Sequence, residues 1–98
     1  MAEAKHEVEF LGTALRSTMS GKSAAMGYRF RVNKGPEVVV WVVSLPAKYS
    51  REEVEQAAEL LIRMKLDAGA DPAAISELAL DGPAMAGVAR HPSWRAKS

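Results

Sequence analysis

The stretch Glu37-Val38-Val39-Val40-Trp41-Val42-Val43-Ser44-Leu45 decides the fold of this chain. β-Branched and aromatic side chains pack well on a pleated sheet and lose rotamer freedom in a helix, so the run predicts a strand. It is too short for a membrane span, which needs about 20 apolar residues. Because its apolar residues are consecutive, both faces of the strand need cover, and we expect it in the middle of a sheet.

Length and composition restrict the classes of protein that this chain can represent. Its 98 residues predict one domain, and its net charge of +1 does not favour a strong nucleic-acid binder. The absence of cysteine excludes disulfides and thiolate metal sites. The first ten residues contain no apolar run typical of a signal peptide, so we expect a cytoplasmic protein without membrane association.

Two further strands are predicted before the valine-rich one. Apolar and polar residues alternate over Ala4–Leu11, which predicts a half-buried strand that ends at Gly12. Alternation over Tyr28–Val32 predicts a second strand, and Asn33-Lys34-Gly35-Pro36 predicts the turn that follows it. The three strands are therefore expected to form an antiparallel meander.

The turn determines which side chains of this meander share a face. If Lys34-Gly35 is a two-residue loop, Val32 lies opposite Glu37. The predicted core face then contains Tyr28, Phe30, Val39, Trp41 and Val43. The opposite, outer face contains Val38, Val40 and Val42 beside Arg29 and Arg31, with Glu7 and Glu9 across from the arginines.

The segment Thr13–Ala25 has small side chains and no clear period, which predicts a long loop or a short helical turn. Within it, Ser20-Gly21-Lys22-Ser23 is similar to the end of a phosphate-binding P-loop. That motif requires a glycine five residues before Gly21, where this chain has Arg16. We therefore expect an ordinary loop and no nucleotide site.

The second half of the chain predicts two helices. Ser50 and Glu53 form a capping-box pattern, which predicts a helix that runs to about Ala68. Asp71-Pro72 predicts the start of a second helix, which ends near Asp81. The predicted fold is α+β, a three-stranded antiparallel meander with two helices packed on one face (β-β-β-α-α). Residues 1–83 form the predicted domain, and residues 84–98 a basic, flexible tail.

No residue pattern predicts catalysis or a bound cofactor. The two histidines, His6 and His91, lie at opposite ends of the chain, and no nucleophile motif accompanies the serines. The acids Glu52, Glu53 and Glu55 are explained by the favourable field at a helix N-terminus. We therefore expect a protein that is not an enzyme and that uses no cofactor, metal or small-molecule substrate.

One succession of motifs resembles the arm-type DNA-binding domains of phage-like integrases. It comprises Tyr28-Arg29-Phe30-Arg31-Val32, a Lys34-Gly35 turn, Leu45-Pro46, the Ser50-capped helix and Gly69-Ala70-Asp71-Pro72. The resemblance implies a three-stranded sheet that lies in the major groove of DNA. Here the third strand has valines at positions where such a domain has cations, and the helix is acidic.

The sequence thus leads to a candidate interaction surface on the outer face of the sheet. An apolar patch with a charged rim is typical of a protein–protein contact, so we expect a protein partner or a second copy of the chain. Residues 13–25 or the C-terminal tail are an alternative, intramolecular cover for the same valines. DNA binding through the sheet is the second functional hypothesis. The surface consists of Val38, Val40, Val42, Arg29 and Arg31.

Overall fold

The computed structural model describes residues 6–17, 24–42 and 49–94. These residues form a four-stranded sheet of order β1-β2-β3-β4 with two helices. The β1–β2 and β2–β3 pairs are antiparallel, whereas β3 and β4 are parallel. The elements are β1 (Val8–Ser17), β2 (Ala24–Val32), β3 (Glu37–Val42), α1 (Arg51–Asp67), β4 (Glu77–Leu80) and α2 (Gly82–Ala89).

This arrangement confirms part of the predicted fold and corrects the rest. The α+β class, the antiparallel β1-β2-β3 meander and the central position of β3 are confirmed. The predicted three-stranded sheet is wrong, because a fourth strand follows α1 and pairs with β3. A parallel pair needs a crossover connection, and α1 lies in that connection.

The β2–β3 turn has one residue more than predicted, and this changes the register of β3. Asn33 and Lys34 have φ angles of 53° and 59°, and the Gly35 N–H donates to the Val32 carbonyl at 2.9 Å. The Val32 N–H donates to the Pro36 carbonyl at 2.9 Å, so Val32 and Pro36 close the hairpin around a three-residue loop. As a result, Arg31 rather than Val32 lies opposite Glu37.

A shift of one residue moves every side chain of a strand to the other face. Phe30 therefore lies opposite Val38 and Tyr28 opposite Val40, so the predicted core face of β3 is wrong. Val38 and Val40 are 0% exposed, and Val42 packs against the same core. Val39 and Trp41 instead lie on the face that was expected to carry the other three valines.

β1 continues through Gly12, where the sequence predicts its end. Phe10 pairs with Phe30, but Gly12 pairs with Arg29, so Leu11 is the extra residue of a β-bulge. The φ angle of +133° at Gly12 is accessible to glycine and strained for other residues, which explains why the strand accommodates a glycine here. Thr13–Ser17 is thus strand rather than loop, whereas residues 1–5 and 18–23 lie outside the described part of the chain.

Helix α1 begins at the predicted capping box. The Glu53 N–H donates to Ser50 Oγ at 3.1 Å, and the Ser50 N–H donates to Glu53 Oε1 at 2.8 Å. Gly69 follows the helix with a φ angle of +100°. One side of the helix faces the sheet through Val54, Ala57, Ala58, Leu60, Leu61, Ile62 and Leu66, all of them buried.

The remainder of the chain differs from the prediction. Asp71 Oδ1 accepts from the Ala73 N–H at 3.0 Å, which stabilises a local turn and not a helix. β4 follows, and α2 begins after Asp81, whose Oδ1 accepts from the Ala84 N–H at 2.9 Å. The prediction of a flexible tail from residue 84 is therefore wrong for α2, because Met85 and Val88 are buried in the core.

A single hydrophobic core lies between one face of the sheet and the two helices. Every strand residue in this core is on the same face, which we call the helix side. Its fully buried large side chains come from both helices and three of the strands. They are Phe30, Ile62, Leu80, Met85, Val32, Val38, Val40 and Val88.

Candidate functional site

The face of the sheet opposite the helices, here called the outer face, is not covered by any described helix or strand. Residues paired across neighbouring strands point to the same face, so the register defines its members. The outer face contains Glu9, Gly12, Ala14, Gly27, Arg29, Arg31, Glu37, Val39, Trp41, Glu77 and Ala79.

The structure separates the five residues of the predicted interaction surface. Arg29 and Arg31 lie on the outer face, as predicted. Val38, Val40 and Val42 lie on the helix side and belong to the core or pack against it, so they do not contribute to this face. Their places on the outer face are taken by residues that the predicted register assigns to the core, namely Val39 and Trp41.

The centre of the outer face is apolar and closely packed. Val39 and Trp41 are half-buried on β3, and the small residues Ala14, Gly27 and Ala79 lie in the same row as Trp41. A Cβ atom on Gly27 would lie only 2.7 Å from Trp41 Cζ3 and 2.9 Å from Cε3. The indole ring of Trp41 therefore lies over Gly27, the residue of β2 that has no side chain.

Substitution of Gly27 by alanine is expected to displace the Trp41 ring, because the added methyl group would overlap two ring carbons. We expect destabilisation of about 1–3 kcal/mol, the usual cost of overpacking. A Trp94→Phe background makes Trp41 the only tryptophan, so its emission spectrum reports the displacement directly. The matched control is Gly87→Ala on α2, where a Cβ atom meets nothing within 4 Å. Equal spectra and stabilities for both variants would contradict the described contact.

Charged side chains border this apolar centre. Glu9, Arg31 and Glu37 lie side by side on three strands, which confirms the predicted position of Glu9 across from an arginine. Arg29 Nε donates to Glu37 Oε2 at 2.6 Å. This hydrogen bond is the main reason that the pKa of Glu37 is lowered and the pKa of Arg29 is raised. The ion pair is thus retained at neutral pH and lost only as acid protonates Glu37 below its ordinary pKa.

The described side chains of the outer face carry charges of both signs. Among them are the carboxylates Glu9, Glu37 and Glu77 and the guanidinium groups Arg29 and Arg31. Negative and positive side chains alternate from strand to strand, so they do not form a continuous basic stripe. Such a border is complementary to a partner surface that also carries both positive and negative charges.

Other parts of the described chain offer less for a binding site. A groove of about 660 Å³ lies between the polar side of α1 and the segment of His91 and Ser93. Its carboxylates lie at exposed or partly exposed helix positions, and Glu59 accepts from Arg63 Nε at 3.0 Å. His6 Nδ1 lies 3.4 Å from Asn33 Nδ2, whereas His91 Nδ1 accepts from the Ser93 N–H. Within residues 6–17, 24–42 and 49–94, no group of histidine and acidic residues could hold a metal ion. None of the helices described here is long and apolar enough to cross a bilayer.

Comparison with protein-family models, with curated proteins and with solved structures found no match for this chain.

Proposed function

We propose that this chain is a non-enzymatic interaction domain that acts in the cytoplasm and binds a protein through its outer face. The observation that carries the proposal is the combination of an apolar centre, Val39 and Trp41, with a mixed-charge border on a face without a covering helix among the described residues. Interfaces typically have an apolar or aromatic core and a polar rim. Tryptophan is also enriched among the residues that contribute most to binding.

The proposed function is the one predicted from the sequence, but the apolar residues of the binding surface are different. A fully buried valine cannot contact a partner unless the core opens, which excludes Val38 and Val40 from the surface. Val39 and Trp41 are partly exposed and lie on the same face as the two arginines. The partner is either a second copy of the chain or a different protein.

Site-specific photo-crosslinking tests this proposal in the cell that produces the chain. A photoreactive amino acid replaces Val39 on the outer face or, as a control, Ala86 on the exposed side of α2. We expect a discrete protein adduct from position 39 only. Adding Ala79→Lys should abolish that adduct, because it places a charge beside Trp41, whereas Ala73→Lys in the turn before β4 should not. No adduct from position 39, or the same adduct from both positions, would contradict the proposal.

DNA binding through the sheet is the second candidate function. One observation favours it, since Trp41 lies on the same face as Arg29 and Arg31 and can therefore reach the same ligand. Stacking and cationic contacts from one surface are typical of nucleic-acid binding. Against it, the described side chains of the face include the carboxylates of Glu9, Glu37 and Glu77, and Arg29 already bonds to Glu37.

Binding of a mixed-sequence DNA duplex to the purified chain separates the two candidates. DNA binding predicts an affinity that falls steeply with salt and is lost when Arg29 and Arg31 are both replaced by alanine. The protein-binding proposal predicts no measurable affinity at physiological salt. The Lys34→Ala variant, which removes one exposed cation in the hairpin turn, is the matched control.

A further inference from the structure

β1 is a long strand at one edge of the sheet. It has 10 residues and pairs with β2, and no described element pairs with its other side. The N–H and C=O groups on the open side of an edge strand can pair with another chain. Proteins commonly prevent such pairing with short edge strands, charged side chains, proline or β-bulges. The opposite edge, β4, has only 4 residues, whereas β1 has 10 residues and contains neither lysine nor proline. On β1, the features of this kind are the bulge at Leu11 and the charged residues Glu9 and Arg16, and the four residues from Gly12 to Leu15 contain neither.

The exposed large apolar side chains of the described residues both lie on this edge strand. Phe10 is 37% exposed and Leu15 is 72% exposed. Both point to the helix side, because they pair with Phe30 and Met26, respectively. The Phe10 ring contacts the rings of Phe30 and Tyr28 on β2, with centroid distances of 5.3 and 6.1 Å, and 37% of the residue stays exposed.

We infer that β1 pairs antiparallel with β1 of a second copy of this chain, around a twofold axis at Thr13. In this register Thr13 lies opposite Thr13 of the second copy, and Gly12 lies opposite Ala14. Leu11 is the extra residue of the bulge, so the next pair is Phe10 with Leu15. Each dimer would contain two such pairs, and each pair would bury the two exposed apolar side chains against one another.

The bulge makes this register more favourable than its neighbours. With Leu11 as the extra residue, Phe10 and Leu15 lie at equal distance from Thr13 and on the same face. Moving the axis by one residue places Phe10 opposite Thr13 or Ser17 and leaves the contact between the two large apolar side chains unmade. Cross-strand contacts that involve an aromatic side chain stabilise strand pairing.

Edge pairing would also join the outer faces of the two copies into one surface. The use of that surface to bind a protein rests on the proposed function. Four strands about 4.8 Å apart and about 20 Å long give each copy a flat area of about 400 Å². A typical protein interface buries about 800 Å² per partner. Two outer faces in one continuous sheet reach that area, whereas a single face does not.

Sedimentation velocity of the purified chain tests the inference. We expect twice the chain mass for the natural sequence. Leu15→Lys should weaken the dimer about tenfold or more, because it removes the apolar contact from both Phe10–Leu15 pairs of the dimer. Ala86→Lys on α2 and Ala79→Lys on the outer face should leave the dimer intact, so that a failure of the proposed function and a failure of edge pairing are distinguishable.

A cysteine at the axis tests the register. The natural chain has no cysteine, and Thr13→Cys places two thiols opposite each other at a distance that suits a disulfide. We expect rapid disulfide formation between copies for Thr13→Cys and none for Ala86→Cys at the same concentration. A monomeric natural chain, a dimer unaffected by Leu15→Lys, an unfolded Leu15→Lys monomer or the absence of the Thr13→Cys disulfide would each overturn the inference.

Discussion

Val40→Lys is expected to unfold the chain, whereas Val39→Lys at the neighbouring position is expected to leave it folded. Val40 is 0% exposed and lies opposite Tyr28 in the core, so a lysine there is a buried charge without a partner. Such a group costs several kcal/mol, in addition to about 1.5 kcal/mol or more for the lost valine contacts. A small domain has a total stability of only about 5–15 kcal/mol.

Val39 is the matched control because it is the same residue on the same strand. Its side chain is half-buried on the outer face, where a lysine amine can reach solvent. We expect a change within about 1 kcal/mol for Val39→Lys, typical of surface substitutions. Urea unfolding followed by circular dichroism measures both effects. The opposite order of stabilities would show that the two-residue turn predicted from the sequence is the correct one and that the described register is wrong.

A chain that ends at residue 83 is expected not to fold cooperatively. It lacks α2 beyond its first residues and so loses Met85 and Val88, which are 1% and 0% exposed. The loss also uncovers Leu80 on β4, which is fully buried in the complete core. Burial of each such side chain is worth about 1.5–3 kcal/mol, so the truncation removes at least about 3–6 kcal/mol.

A chain that ends at Trp94 is the control for this truncation, because it retains every described contact of α2. Thermal unfolding by circular dichroism, with dye binding to exposed apolar surface, compares the two chains. We expect a sigmoidal transition for the longer chain and a broad, non-cooperative one for the shorter. Equal melting temperatures would mean that residues 1–83 are a complete domain, as the sequence alone suggests.

The features that the sequence predicts correctly are those encoded by local patterns. Six consecutive β-branched or aromatic residues from Val38 to Val43 predict a central strand, and β3 is central. The capping box at Ser50 and Glu53 predicts the start of α1, because both of its hydrogen bonds join residues three apart. Neither feature depends on the position of distant parts of the chain.

The face of β3 that is buried depends on a single residue in the turn, which sequence patterns do not resolve. Two-residue and three-residue hairpin loops both suit Asn33-Lys34-Gly35-Pro36, since asparagine and glycine tolerate positive φ angles. Because β3 is apolar on both faces, its own pattern does not favour either register. The sequence therefore does not determine which face of β3 is the outer one, although it correctly places Arg29 and Arg31 on the outer face.

The sequence does not predict the fourth strand, because the spacing of its apolar residues is ambiguous. Ile75 and Leu78 are three residues apart, which fits a helix, whereas Leu78 and Leu80 fit a strand. The decision depends on the open edge of β3, to which β4 adds as a parallel neighbour. The Asp71-Pro72 pattern is compatible with a helix start and with the local turn that it forms.

The parallel β3–β4 pair has a consequence for the order in which this protein can assemble during synthesis. Val39 pairs with Glu77, so the valine-rich strand acquires its second neighbour only after all of α1 has left the ribosome. Until then it is a six-residue β-prone edge, the kind of segment that associates with other nascent chains. Helix α2 then packs against β4. Substitutions that loosen the contact between α2 and β4 should therefore reduce the yield of folded protein through aggregation before they measurably lower the melting temperature.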